Sequence, residues 1–278
     1  MNHPPRLRRP FERRLARLGS LGLIALPAVA CAATPVDWEP PRAVAAAAAD
    51  RVALSADGTL HADAMAALAA TMTLPPGPVC AGSLRLAAAR RTLFAVWWAP
   101  RPDSGVRLLA ARSSDGGRSW SAPAAVDTTD VGATGCRREP PAIAADSASG
   151  YVHATYALQA AEGPGLFFSH SMDGGVTFHA PVPILYGERL GRTSVAADGD
   201  LVVVAFEDPN TTTPRIGLAL SRTMGHIFEH RILPVSDGNG IANDPLVAVQ
   251  GRHVAVAWQP GSPAATPTTF FVRLGTVR

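Results

Sequence analysis

The chain has 278 residues, 47% hydrophobic but only 6% aromatic, with 25 Gly and 25 Pro. Those apolar residues suffice for one or two domains, and the Gly and Pro content favours many short strands joined by turns over long helices. The formal charge of +3 is carried by arginine alone and is concentrated at the N-terminus; beyond that segment no basic stripe interleaved with aromatics remains, which excludes a nucleic-acid surface.

Residues 1–30 read as an export signal. Arg6, Arg8, Arg9, Arg13, Arg14 and Arg17 precede an apolar core at 18–30 that ends in Ala28-Val29-Ala30. The core is too short to span a bilayer and has the length of a signal-peptide core. Arg8-Arg9-Pro10-Phe11 resembles a twin-arginine signal, so the Sec and twin-arginine routes both stay open. Its removal takes six arginines and Glu12 away and turns the formal charge slightly negative. Cys31 follows directly, placed either as the lipidated cysteine of a bacterial lipoprotein or beside a plain signal-peptidase cut. Both readings put the protein outside the cytoplasm, periplasmic or secreted, with membrane contact only through an N-terminal lipid.

Residues 31–79 are the least regular. The alanine-rich stretches 43–49 and 62–70 have helical propensity, and Ser55-Ala56-Asp57-Gly58 resembles a degraded form of the turn described next. The segment is either a further repeat or a linker plus one strand that completes the last repeat.

From residue 80 the chain repeats. Ser113-Ser114-Asp115-Gly116-Gly117-Arg118-Ser119-Trp120 and Ser171-Met172-Asp173-Gly174-Gly175-Val176-Thr177-Phe178 share one pattern, and Ser221-Arg222-Thr223-Met224-Gly225-His226-Ile227-Phe228 is a degraded copy. Each reads as a turn. The aspartate accepts backbone N–H bonds, the glycines supply positive φ, the hydroxyl closes the bend and the aromatic anchors it. Seventeen positions before each aspartate, or its Thr223 replacement, an apolar run ends in an aromatic: Trp98, Tyr156 and Phe206, with Trp258 fitting the same column. Shorter apolar segments around Leu86, Ile143, Val195 and Leu246 precede these runs. A period of roughly fifty residues lies in the range of propeller blades.

The turn resembles the Asp box, or BNR repeat, of sialidase-superfamily proteins, and the resemblance covers residues 80–278. It implies an all-β fold: a β-propeller of four-stranded antiparallel blades, with Asp-box turns between third and fourth strands. The length leaves room for four or five blades. In such a fold Cys80 and Cys136, each just before the first segment of consecutive repeats, are neighbours near the axis. A disulfide is preferred over free thiols, and no His or Cys spacing supports a metal pair. The Asp boxes and the tight first turns then share one end, and the longer loops (100–105, 127–139, 159–164, 186–192, 207–213, 236–244 and 261–269) share the other, where a ligand is expected.

That long-loop end holds the candidate site residues. Arg138, in Arg137-Arg138-Glu139-Pro140, and Arg192 each precede an innermost strand, where sialidases carry an Arg-Ile-Pro arginine that grips a substrate carboxylate. Tyr186 stands two residues from Glu188, and the resemblance implies a carboxylate-activated tyrosine nucleophile. Asp244, Asp130, Asp208 and Asp237 are candidates for the acid. Each has a plainer reading: the arginines solvated or paired with Glu139 and Glu188, Asp244 bonded locally in an Asp-Pro strand entry, Tyr186 packed in its loop. The chain also lacks a true Arg-Ile-Pro, a third arginine and the length of a six-bladed catalytic sialidase. The first reading is therefore an exported propeller that binds a glycan or a protein partner without catalysis and without cofactor or metal. An exo-α-sialidase-like glycoside hydrolase and a structural module of an envelope complex are the alternatives. The two arginine-based readings share a geometric demand: Arg138 and Arg192 must point into one solvent-open pocket.

Overall fold

The structure is a computed structural model that describes residues 36–45, 51–54, 60–63, 72–233, 241–261 and 269–278, which form strands, turns and loops. The export signal, Cys31, residues 55–58 and Asp237 lie outside the described residues.

The strands form antiparallel blades in chain order. Before them come β1 (Val36–Trp38), β2 (Arg42–Ala45) and a hairpin of β3 (Arg51–Leu54) and β4 (Leu60–Asp63). The first blade is β5 (Arg85–Ala89), β6 (Thr92–Pro100), β7 (Val106–Ser113) and β8 (Ala124–Asp127). The second is β9 (Ala142–Ala145), β10 (Val152–Ala160), β11 (Gly163–Ser171) and β12 (Val182–Tyr186), and the third is β13 (Thr193–Asp198), β14 (Leu201–Glu207), β15 (Ile216–Ser221) and β16 (Glu229–Ile232). The fourth contains β17 (Ala242–Gln250), β18 (His253–Pro260) and β19 (Thr269–Val277). The first strands β5, β9, β13 and β17 lie beside one another in that order around an axial cavity of about 800 Å³, and the β3–β4 hairpin packs against β17 and β18. This is a β-propeller of antiparallel blades.

Burial explains the sequence columns. The second strand of each blade is covered by its neighbours on both faces, so its sequence is a continuous apolar run rather than an alternation. Trp98, Tyr156, Phe206 and Trp258 stand at equivalent places within these strands, each 4% exposed or less. Each seam between blades is a hydrophobic cluster: Trp98 and Leu108 with Tyr156 and Phe167, then Phe168 and Leu166 with Val202 and Phe206, then Val203 and Leu218 with Val256 and Trp258. The outermost strand β16 is exposed along its length.

The fourth blade borrows its outer strand from the N-terminal side. β1 pairs with β19 from Val36↔Val277 to Trp38↔Gly275, and β2 continues from Arg42↔Val272 to Ala45↔Thr269. The register slips by one residue between them, so the two behave as one strand with a bulge. Gly275 is required there, because a Cβ would press into the Trp38 ring and Val36. Where the alanine-rich segments are described, helical propensity does not decide: Ala43, Val44 and Ala45 lie in β2 and Ala62 in β4, since ladder bonds outweigh a weak local preference, while residues 46–49 and 64–70 lie outside the described residues.

The turns close as their chemistry requires. Ser113 Oγ donates to Asp115 Oδ1 (2.7 Å) and accepts the Gly117 N–H (2.8 Å), while Asp115 accepts the Ser119 N–H (2.9 Å) and hydroxyl (2.6 Å). Ser171, Asp173, Gly175 and Thr177 repeat the set at 2.7, 2.8, 2.9 and 2.7 Å. In the third copy Thr223 Oγ1 accepts one amide, the Ile227 N–H, and shares a hydroxyl contact with Ser221, and Met224 takes a left-handed φ of 54° where the other copies have glycine. The second glycine also serves the seams, since Gly175 lies against Phe94 and Gly225 against Phe168 of the preceding blade. Trp120 donates to the Thr73 carbonyl, and Phe178 packs with Phe94 and Val152. Cys80 and Cys136 form a disulfide with Cα atoms 5.2 Å apart.

Candidate functional site

At the long-loop end, residues from three blades meet at the mouth of the axial cavity. Arg192 immediately precedes β13, Glu207 ends β14, Asp244 lies in β17, and Glu139 precedes β9. The Arg192 guanidinium stands 3.1 Å from Asp244 Oδ1 and 3.6 Å from Glu139 Oε2, and its side chain is 57% exposed. The Arg192 carbonyl accepts the Glu207 N–H at 3.2 Å. Glu207 Oε1 in turn accepts the Asp244 N–H at 2.8 Å.

The backbone is shaped for this meeting. A Cβ on Gly191 would collide with the Glu207 carboxylate, so glycine makes the approach possible. Asp244 has φ of 49°, uncommon for a residue with a side chain, and β17 slips register against β18 between Asn243 and Leu246. A bulge of this kind redirects a side chain, and Pro245, which has no N–H to donate, is tolerated within it. Burial pushes the Glu207 carboxyl above its ordinary range, and the Asp244 and Glu139 carboxylates add to that, against the opposing pull of the Asp244 and Arg192 amides. The mouth therefore offers one accessible fork of N–H donors and three carboxyl groups, one of which, Glu207, holds its proton more readily than an exposed carboxyl would. Such a set suits a ligand rich in hydroxyls.

Arg138 does not join it. Its guanidinium bonds Asp130 Oδ2 at 2.7 Å, and the two side chains are 7% and 1% exposed. It also donates to the carbonyls of Gly135 and Gly132 and lies 6.0 Å over the Trp98 ring. Asp130 additionally accepts the amides of Val106 and Gly132, so the pair fastens the loop before β9 from within. A buried carboxylate needs a paired cation, and Arg138 is the one the loop supplies. The shared two-arginine pocket is thus not formed, so the ligand-binding and sialidase-like readings lose the anchor expected of them, and a ligand at the mouth would have to be held by Arg192 and the carboxyl groups around it.

The other candidates lie apart from the mouth. Tyr186 is the last residue of the outer strand β12 rather than a loop residue; its ring meets Phe167 edge-on at 5.9 Å and its carbonyl accepts the Asn210 amide. It lines neither the axial cavity nor a second cleft of about 700 Å³ that includes Arg137, Arg138, Glu139 and Glu188. Asp208 caps its own loop by accepting the Asn210 N–H. Among the described residues no group of three or more His, Cys, Asp and Glu side chains is placed to hold a metal ion.

Glu207 was not singled out from the sequence, although a signal existed. The residue after the aromatic column is Ala99, Ala157 and Gln259 in the other repeats, so a carboxylate there departs from the pattern. Gln259 also lines the cavity.

No protein-family model and no curated protein matches the chain. Among solved structures, a mutant NanB sialidase from Streptococcus pneumoniae is 11% identical, covering 73% of this chain and 33% of that one, with a TM-score of 0.47. The Bombyx mori GH32 β-fructofuranosidase is 16% identical over 66% of this chain and 43% of its own, at a TM-score of 0.41. The phage phi92 endosialidase is 12% identical over 69% and 35%, at 0.43. This chain spans less than half the length of each, and its propeller is defined by its own strand pairing.

Proposed function

We propose that this protein is an exported Asp-box (BNR-repeat) β-propeller of sialidase-like architecture that binds a glycan on its long-loop face without catalysing a reaction. The observation that carries the reading is Arg192, exposed among Glu139, Glu207 and Asp244 at the mouth of the axial cavity. One cation beside three carboxyl groups disfavours an anionic sugar, because the surplus negative charge opposes a second carboxylate. A neutral glycan meets acceptors for its hydroxyls and a donor fork for its ring or carbonyl oxygens. With Arg138 committed to Asp130, and Tyr186 on an outer strand, the residues expected of a sialidase are not gathered around Arg192.

The test is calorimetric titration of the protein with neutral and sialylated oligosaccharides. Neutral glycans are expected to bind, and Arg192→Ala to weaken them by about tenfold, or ~1.4 kcal/mol. Hydrolysis of a fluorogenic sialoside that is lost in Tyr186→Phe would establish the sialidase-like alternative instead. Absence of binding to any glycan, with a specific protein recovered from envelope extracts, would favour the structural module.

A further inference from the structure

At the turn end of the seam between the second and third blades, four imidazoles converge. His153 belongs to β10 and His170 to β11, His179 follows the second turn, and His226 sits in the third turn. The His170 ring stands 4.7 Å from His179, nearly parallel to it, 4.8 Å from His226, edge-on, and 6.3 Å from His153. Tyr151 stacks on His170 at 6.0 Å and Phe168 on His153 at 5.8 Å. His153 is fully buried and His170 is 6% exposed. Both ring nitrogens of His153, and Nε2 of His170, have no hydrogen-bond partner. A buried polar atom without a partner is costly, and adding charge to it costs more.

The third turn reaches the cluster across the seam. Gly225 lies against the Phe168 ring, and Phe228 meets that ring edge-on at 4.8 Å. The charged and titratable groups acting on His153 are His170, Asp146 and His226, and those acting on His170 are His179 and His226. Asp146 is the one carboxylate in this set, and it is already engaged: it accepts the Ser149 hydroxyl and the amides of Ser149 and Ala148, with the Gly199 amide of the third blade also directed at it. Burial first, then the repulsion of neighbouring rings, pushes both His153 and His170 down to about 4. Too few ligating groups are placed together for the cluster to be a metal site among the described residues.

We infer that this stack is an acid-responsive joint between the second and third blades. As protons arrive, imidazolium rings face one another with no free carboxylate to receive them, and the repulsion is relieved when the third turn withdraws from Phe168 and His170. The far end of the same seam carries the Arg192–Glu139 pair and the Thr155–Thr193 hydroxyl contact at 3.1 Å, so withdrawal also loosens the mouth of the cavity. The inference does not depend on a ligand being bound there, and its test uses none.

Amide hydrogen exchange on the full chain, corrected for intrinsic rates, is measured between pH 7.5 and 4. Protection is expected to fall first and reversibly in the third turn, β11 and β13, while β6, β7, β18 and β19 stay protected. His226→Gln changes an exposed position and should leave folding intact, and His153→Phe keeps the stacked ring without the proton site. Each is expected to move the onset of seam opening to lower pH by about half a unit or more, because each removes one member of a coupled set. Protection that survives unchanged to pH 4, that is lost uniformly from all blades, or that is lost at the same pH in wild type and His226→Gln would overturn the inference.

Discussion

The two ends of the propeller use carboxylates in opposite ways. At the turn end, Asp115 and Asp173 are each satisfied by residues within four positions of themselves, and those hydroxyl and amide bonds hold both carboxyls well below the usual range. At the long-loop end, Glu139, Glu207 and Asp244 come from three blades; Glu139 and Asp244 share the Arg192 guanidinium, Glu207 accepts the Asp244 amide, and all three remain partly open to a ligand. The difference teaches where function can sit. A carboxylate consumed by its own turn is architecture, whereas carboxyl groups brought together only by the closing of blades keep capacity for an outside partner.

The long-loop end is pinned by the disulfide, and breaking it should have the largest effect. Cys80 and Cys136 are 56 residues apart. Closing a loop of that length is worth about 4 kcal/mol in the chain-entropy picture. Cys136→Ser, or reduction, is expected to lower the melting temperature markedly, and thermal unfolding with and without reductant measures it. An unchanged temperature would mean that Arg138 and Asp130 hold the loop unaided.

Acid should discriminate between the ends next. His153 has a folded-state value of about 4, below the 6.5 of an unperturbed imidazole, so the unfolded chain binds the extra proton first. Its neutral burial therefore costs nothing in proton linkage above pH 6.5, and stability is lost as pH falls from 6.5 towards 4, by about 3 kcal/mol for this one group. His170 adds to the loss in the same window. Asp115 and Asp173 stay ionised in the fold throughout that window and contribute little until the unfolded carboxyls begin to protonate near its lower end, while Glu207, shifted upwards, works weakly the other way. Urea titrations at pH 7.5 and 4.5 give the difference, and His153→Phe should shrink it; equal pH sensitivity in that variant would move the cause elsewhere.

The smallest effect sharpens the account of the turns. Asp173→Ala removes the acceptor of two amides and two hydroxyls, yet the site is exposed and water takes over part of the bonding, so a loss of about 1 kcal/mol is expected. Thr223→Ala, in the copy with one such amide bond, should cost less. Denaturant midpoints for the two variants settle the order, and the reverse order would contradict the bonding pattern of the two turns.

Much of the architecture is legible in the amino-acid order because it depends on short-range rules. The period of roughly fifty residues, the buried second strands carrying Trp98, Tyr156, Phe206 and Trp258, and the closure of the turns around Asp115 and Asp173 all follow from patterning and local bonding. Cys80 and Cys136 could be matched because the repeat places them at equivalent positions. What only the tertiary structure decided is how charges of different blades are apportioned. Arg138 and Arg192 occupy similar places before innermost strands, yet one is drawn beneath its loop by Asp130 and the other stands open beside Asp244 and Glu139. Glu207 acquires its role from Gly191 and the bulge at Asp244, and the histidines acquire theirs from the meeting of two blades. Local propensities and repeats act over a few residues and leave a periodic trace, but desolvation and charge pairing depend on which groups arrive together in space, and no spacing along the chain encodes that distance.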